Sequence, residues 1–174
     1  MVGGDGKTLY LLRHAKARKI EPGEDDIARP LIKRGREAAE HLATWLTNHP
    51  PLPTTVLCSP SARTRETFEL IRPSLGAAAV DFDPRLYGAS TEVLLAAISG
   101  LPRETSAAMI VGHNPGIEEL ALDLAGHAPT RLLQRMREKF PTCALVVLTA
   151  PTRDWTKFSV ASRADEFIRP IDLV

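Results

Sequence analysis

The chain has 174 residues with 22 basic and 21 acidic side chains, and its net charge of +1 gives no general attraction to nucleic acid or to a membrane surface. Its composition, 44% hydrophobic and 25% charged, is typical of a globular protein, and its length predicts a single domain over residues 1–174 without indicating an oligomeric state. The two cysteines, Cys58 and Cys143, show no CxxC spacing, which argues against a disulfide framework and favours a reducing compartment.

Short apolar runs alternate along the chain with longer amphipathic stretches. Met1–Gly6 lacks the basic and apolar regions of a signal peptide, and no apolar run approaches the ~20 residues of a membrane span, so we expect a cytoplasmic protein without a membrane partner. The predicted elements, in chain order, are a strand at Leu9–Leu12, a helix at Lys33–Asn48, a strand at Thr55–Cys58, a helix at Ala62–Ile71, a strand at Ala79–Phe82, a helix capped by Ser90, a strand at Ala107–Val111, helices at Ile117–Ala125 and Leu132–Met136, a strand at Ala144–Leu148 and an edge strand at Phe158–Val160.

The order and hydrophobicity of these elements predict the fold class. Strands that alternate with helices and are apolar along their whole length are typical of a parallel sheet covered on both faces. We therefore expect an α/β three-layer sandwich with a mostly parallel central sheet.

Basic side chains follow three of the predicted strands. Arg13 and His14 come directly after the first, Arg63 lies a few residues beyond the second, and His113 follows the fourth. Because ligands of open α/β sheets bind beyond the carboxyl ends of the strands, we expect these four side chains to converge at one edge of the sheet.

Two histidines and two arginines at one sheet edge suit phosphoryl transfer. The moving group spreads negative charge over its oxygens, and a guanidinium presents a fixed fork of donors to them. A neutral imidazole can attack phosphorus, and nearby arginines should lower the pKa of His14 and keep it neutral, while a protonated His113 would donate to the phosphoryl oxygens. Since the arginines neutralise the charge, we expect no metal and no cofactor.

Three segments resemble the motifs of a known enzyme family. Leu11-Leu12-Arg13-His14-Ala15 resembles the RHG signature of the histidine phosphatase superfamily (the phosphoglycerate mutase-like group), Ser59–Thr67 its SPxxRTxxT segment, and Gly112–Pro115 its second histidine motif. The resemblance implies a phosphoglycerate mutase-like fold. It also implies that His14 is the residue phosphorylated during catalysis and that Arg13, Arg63 and His113 bind the phosphate.

The remaining matches resemble one branch of this superfamily, the SixA-type phosphohistidine phosphatases. They are Arg29-Pro30-Leu31 with Gly35, Phe140-Pro141-Thr142 before the fifth strand, and the ending Phe167–Leu173. The resemblance spans nearly the whole chain and implies a phosphorylated protein as the partner, with phosphohistidine as the substrate.

The sequence departs from the superfamily at two positions. Ala15 stands where glycine is usual, and Leu86-Tyr87 stands where mutases and many phosphatases have Leu-Glu, the glutamate being their general acid. Without that acid, an ester whose alkoxide leaves unprotonated should react poorly. Phosphohistidine leaves as a ring nitrogen that needs less help, so the departure favours it as the substrate.

Other functions remain as alternatives, namely a phosphatase for small phosphate esters and a phosphate-binding module without catalysis. A cysteine phosphatase needs C-x5-R, but Cys58 and Arg63 are one residue too close, and Asp81-Phe82-Asp83 lacks the companions of an aspartyl-phosphate motif. No spacing suits a structural zinc site. Glu24-Asp25-Asp26 is interpreted as a solvated loop that could supply a weak acid, and Tyr87 as a packing aromatic.

Overall fold

The computed structural model of the chain describes residues 6–174, so the interpretation of Met1–Gly6 lies outside them apart from Gly6. Six strands form one sheet in the order β3-β2-β4-β1-β5-β6. Their bounds are β1 (Lys7–Arg13), β2 (Thr55–Cys58), β3 (Ala79–Phe82), β4 (Ala107–Gly112), β5 (Leu145–Ala150) and β6 (Arg163–Ile168).

Four of the six strands, β1 to β4, form parallel pairs with one another. β1 and β2 both pair in parallel with β4, and β2 pairs in parallel with β3, whereas β5 is antiparallel to β1 and to β6. The register places Arg13 opposite Gly112 and Cys58 opposite Val111, so the carboxyl ends of β1, β2 and β4 lie level. The predicted mostly parallel sheet is confirmed.

Helices cover both faces of this sheet. Consecutive strand residues point to opposite sides, so a strand that is apolar along its length presents an apolar surface to each helical layer. Leu9 and Leu11 pack into a core with Ile117 of one helical layer, and Tyr10 and Leu12 pack into a second core under the other layer. The first layer contains α3 (Thr91–Ser99), α4 (Gly116–Asp123), α5 (Thr130–Glu138) and α6 (Phe158–Ala161), and the second contains α1 (Lys33–Thr47) and α2 (Ala62–Ile71). The predicted three-layer α/β sandwich is therefore confirmed. None of the helices within residues 6–174 is long and apolar enough to cross a bilayer.

The predicted edge strand at Phe158–Val160 is wrong. These residues begin the short helix α6, in which Phe158 is buried and Val160 is 88% exposed, and the edge strand is β6, which follows it. β6 has the sequence RADEFI, and a register irregularity opposite Val147 and Leu148 interrupts its alternation, so that its buried residues are Ala164 and Phe167. An edge strand with this polar content and a bulge carries no clear period-two signal.

Gly35 fixes the loop that follows β1. The Ile32 N–H donates to the Lys16 carbonyl oxygen at 3.0 Å, and the Arg18 N–H donates to that of Pro30 at 2.9 Å, which ties the loop to the segment before α1. A Cβ atom on Gly35 would lie 2.1 Å from the Lys16 carbonyl oxygen, so helix and loop approach to a distance that only glycine allows.

We predict that Gly35→Ala destabilises the protein by about 1–3 kcal/mol, the usual cost of inserting an atom into a filled space. Gly100→Ala is the matched control, since a Cβ there would meet neighbouring carbonyl oxygens at ordinary distances of 3.5 and 3.6 Å. Urea denaturation of both variants measures the difference. Equal stability of the two variants would contradict the close approach at Lys16.

Candidate active site

The predicted residues line one pocket of about 510 Å³ at the carboxyl ends of β1 and β4. The rings of two of them, His14 and His113, lie with their centroids 5.3 Å apart. The structure thus brings together all four side chains that the sequence selected: Arg13, His14, Arg63 and His113.

Hydrogen bonds to the main chain fix the orientation and the tautomer of His14. The main-chain N–H of His14 donates to the Gly112 carbonyl oxygen at 3.0 Å, and this bond joins the ends of β1 and β4. Its Nδ1 lies 2.7 Å from the Ala15 carbonyl oxygen, and because a carbonyl oxygen only accepts, Nδ1 carries the ring proton. Nε2 is therefore the ring nitrogen with a free lone pair, and it has no hydrogen-bond partner among the described residues.

Burial keeps the His14 ring uncharged. The pKa of His14 is lowered from 6.5 to about 3 chiefly by this burial; the hydrogen bond to Ala15 opposes the lowering, and His113, Arg63 and Arg13 add to it. The direction agrees with the sequence prediction, but the largest cause differs, because desolvation outweighs the neighbouring arginines. At neutral pH the ring has the protonation state that a nucleophile needs.

Asp26 holds Arg63 in position. Arg63 lies in the first turn of α2, which begins at the capping residue Ser61, and is buried. Its Nη1 donates to the Asp26 carbonyl oxygen at 2.7 Å and its Nη2 to Asp26 Oδ2 at 2.9 Å. The two bonds fix the plane of the guanidinium at the side of the pocket.

The same carboxylate gathers two further side chains. Tyr87 donates its hydroxyl to Asp26 Oδ2 at 2.5 Å, and Arg29 donates from Nε to Oδ1 at 2.8 Å. Hydrogen bonds from Tyr87, Arg29 and Arg63 hold the pKa of Asp26 well below its usual range, so it is an acceptor and not a weak acid at neutral pH. The interpretation of Asp26 as part of a solvated loop is incomplete: its side chain is 37% exposed, but its carboxylate also binds Arg63 and Tyr87 from segments far away in sequence.

The segment before β5 holds Arg13. Arg13 Nη1 donates to the Phe140 carbonyl oxygen at 2.6 Å. The Cys143 N–H is shared between the carbonyl oxygens of Arg13, at 3.1 Å, and His14, at 2.9 Å, and Cys143 adopts a φ of 63°. The Nε–H groups of Arg13 and Arg63 are buried and have no hydrogen-bond partner within residues 6–174, and an oxyanion bound between these side chains would satisfy such donors.

His113 is the fourth side chain of the pocket and is also uncharged. Its Nε2 lies 2.7 Å from Ser59 Oγ, and the ring of Tyr87 packs edge-on against it with centroids 5.5 Å apart. Burial, followed by the charge of Arg63, lowers the pKa of His113 to about 4. The sequence-based hypothesis of a protonated His113 thus requires a bound anion, whose negative charge would raise that pKa.

The structure also bears on the other chemistries considered. Cys58 is buried, and burial raises the pKa of its thiol to about 12, which disfavours a cysteine nucleophile. Asp83 is paired with Arg85, whose Nη2 lies 2.6 Å from Oδ2. Within residues 6–174, no three His, Cys, Asp or Glu side chains are grouped so that they could hold a metal ion.

Comparisons with known proteins find similar sequences and similar folds. The model of the histidine phosphatase superfamily (branch 1) matches residues 9–92. An uncharacterized protein of Mycobacterium leprae is 34% identical over 155 residues, which cover 87% of this chain and 94% of the relative.

Two solved structures assigned as the phosphohistidine phosphatase SixA are similar throughout. The one from Nakamurella multipartitia is 27% identical, with a TM-score of 0.85, covering 97% of this chain and 98% of the other. The one from Agrobacterium tumefaciens is 30% identical, with a TM-score of 0.81, covering 94% and 98%.

We predict that Arg63→Ala weakens the binding of inorganic phosphate by about 2–3 kcal/mol, in the range for hydrogen bonds to charged groups. Arg65→Ala is the matched control in the same helix, because Arg65 is exposed, donates to the Pro60 carbonyl oxygen and does not line the pocket. Isothermal titration calorimetry with phosphate measures both. An equal loss in the two variants would contradict the placement of the anion beside Arg63.

Proposed function

Because the chain belongs to the histidine phosphatase superfamily, in its SixA-type branch, we propose that it dephosphorylates phosphohistidine side chains of proteins through a phosphoenzyme intermediate on His14. The family match and the SixA-assigned structures make the chain a phosphatase of this superfamily. Its substrate, the roles of individual residues and independence from metals are proposals that rest on the pocket.

The observation that carries the proposal is the uncharged His14 ring with Nε2 left unprotonated beside two arginines. In the first step, the Nε2 lone pair forms a bond to phosphorus while the bond from phosphorus to the substrate imidazole breaks. The substrate ring, already protonated on its other nitrogen, keeps the electron pair of the broken bond and leaves as a neutral imidazole. In the second step, water attacks the phosphohistidine, inorganic phosphate departs and the neutral ring of His14 is restored.

The cationic side chains act on the charge of the moving group. Its equatorial oxygens carry negative charge throughout, and guanidinium donors already fixed in place need no rearrangement in the transition state. Arg13 is fixed by the Phe140 carbonyl group and Arg63 by Asp26, while His113 acquires its proton once the anion is bound. Two fixed arginines supply the positive charge that a metal would otherwise supply, so we propose metal-independent turnover.

No carboxylic acid that lines the described pocket is protonated at neutral pH, and this supports phosphohistidine over an ester. Asp26 is the only carboxylic acid that lines this pocket within residues 6–174, and its hydrogen bonds to Tyr87, Arg29 and Arg63 keep it ionised. The hydroxyl of Tyr87 is already donated to Asp26, and that bond raises its pKa. An alkoxide would therefore leave without a carboxylic acid to protonate it, whereas a substrate ring protonated on its other nitrogen leaves as neutral imidazole, a much weaker base.

We predict that brief incubation with a ³²P-labelled phosphohistidine peptide labels the protein with an acid-labile, base-stable phosphoryl group, and that His14→Ala abolishes both label and turnover. His127→Ala is the control, because His127 is exposed and lies outside the pocket. Autoradiography after gel separation and mass spectrometry of the labelled peptide identify the site. Full labelling of His14→Ala would contradict the proposed nucleophile, and binding without any turnover would identify a phosphate-binding module instead.

The same preparation tests the substrate class. We expect kcat/KM for the phosphohistidine peptide to exceed that for an alkyl phosphomonoester, with both unaffected by EDTA. A strong preference for the ester would favour a small-molecule phosphatase, and loss of activity in EDTA would contradict metal independence.

A further inference from the structure

A second groove of about 480 Å³ adjoins the catalytic pocket, and we refer to it as the basic groove. Lys16 and Thr142 line both cavities, so one opens beside the other. The walls of the basic groove come from the first half of α1, the segment before β5 and the C-terminal 3₁₀ turn Pro170–Asp172 with its flanking residues. A molecule whose phosphoryl group occupied the pocket could thus extend past Lys16 into this groove.

Three cations without an ion-pair partner among the described residues lie together in the basic groove. Elsewhere the arginines are mostly matched by carboxylates, as in the pairs Arg18–Glu24 and Arg36–Glu66. In the groove, Lys16, Arg34 and Lys139 are exposed and have no ion pair among the described residues. Because the whole chain carries a net charge of only +1, this concentration of positive charge is local.

The other charged side chains of the groove are already paired. Glu37, the only acidic side chain lining it within the described residues, has Oε1 3.8 Å from Nζ of Lys33. Arg169 lies 3.2 Å from Asp172, measured from Nη2 to Oδ1. The three unpaired cations therefore remain as the charge available to a ligand.

Apolar side chains form most of the remaining lining of the groove, together with His41 and Thr142. Ala38, Pro141 and Pro170 line it, and Ile171 adds a large side chain that is 71% exposed. Carboxylates that pair with the cations and aliphatic groups that cover this apolar surface occur together in an acidic polypeptide segment. A polyanion such as RNA would match the cations but not the apolar lining.

We propose that the basic groove binds an acidic segment of the phosphoprotein substrate, next to the phosphohistidine that enters the pocket. This proposal rests on the proposed function and names the chemistry of its partner. A small phosphoramidate reaches only the pocket, so the groove adds affinity for protein substrates alone. Charge pairing at an exposed groove of this kind acts mainly on binding and weakens as salt rises.

The test uses the double variant Arg34→Gln/Lys139→Gln, which removes two groove cations and changes no residue lining the pocket. Its control is Arg103→Gln/Lys157→Gln, which removes two exposed cations near the opposite end of β1. There the Arg103 carbonyl oxygen accepts from Lys7 Nζ at 2.5 Å, and Lys157 ends the 3₁₀ turn Trp155–Lys157, whose Trp155 ring lies 5.4 Å from the same Nζ.

Three substrates are compared by kcat/KM: a phosphohistidine peptide flanked by glutamates, the same peptide with glutamines in their place, and phosphoramidate. We expect the wild type to prefer the glutamate peptide, and the groove variant to lose about three- to tenfold on that peptide alone, through KM, as expected for two exposed charge pairs. The loss should shrink in high salt and be absent from the control variant. An equal loss on phosphoramidate, or no preference between the peptides, would overturn the proposal.

Fluorescence titration with the unphosphorylated glutamate peptide separates this proposal from the proposed function, because it needs no turnover. Weaker binding by the groove variant than by the control variant supports the groove even if no substrate is hydrolysed. Equal binding by the two variants overturns it even if phosphohistidine is the substrate. Tighter binding of a uridine oligonucleotide than of the peptide would contradict an acidic protein as the partner.

Discussion

The chemistry of the pocket depends on one hydrogen bond, from Nδ1 of His14 to the carbonyl oxygen of Ala15. The bond assigns the ring proton to Nδ1, and burial disfavours a second proton, so Nε2 keeps its lone pair. The acceptor is itself fixed, since the Ala15 N–H donates to Thr67 Oγ1 of α2 at 2.9 Å. Thr67, which belongs to the segment Ser59–Thr67 that also contains Arg63, thereby helps to orient the proposed nucleophile.

The fold places fixed charges around that ring by means of main-chain contacts. The carboxyl ends of β1 and β4 lie level and adjacent, and the close approach at Gly35 holds the loop after β1. The Cys143 N–H donates to the carbonyl oxygens of Arg13 and His14. Asp26 completes the arrangement by fixing Arg63 and accepting from Tyr87. Its ionised carboxylate offsets part of the positive charge that the arginines bring to the pocket.

Most of the sheet and the four pocket residues could be predicted because apolar runs such as Leu9–Leu12 and the motifs at the strand ends are local signals. Burial confirms those runs, although the antiparallel direction of β5 has no local signature. β6 and the contacts of Asp26 could not be predicted, since a bulged polar edge strand lacks a period and an ion pair with Arg63 joins residues 37 positions apart. The sequence predicts Tyr87 as a packing aromatic. In the structure its ring packs on His113, and its hydroxyl also donates a hydrogen bond to Asp26.

The most direct measurement of the central claim is the ¹⁵N spectrum of the His14 side chain as a function of pH, assigned by comparison with His14→Ala. Its pKa lies below the usual 6.5, at about 3, so protonation of the ring begins only as the pH falls toward that value. Between pH 8 and about pH 5, we predict a protonated Nδ1 and an unprotonated Nε2. A proton on Nε2, or a doubly protonated ring at pH 6, would contradict it.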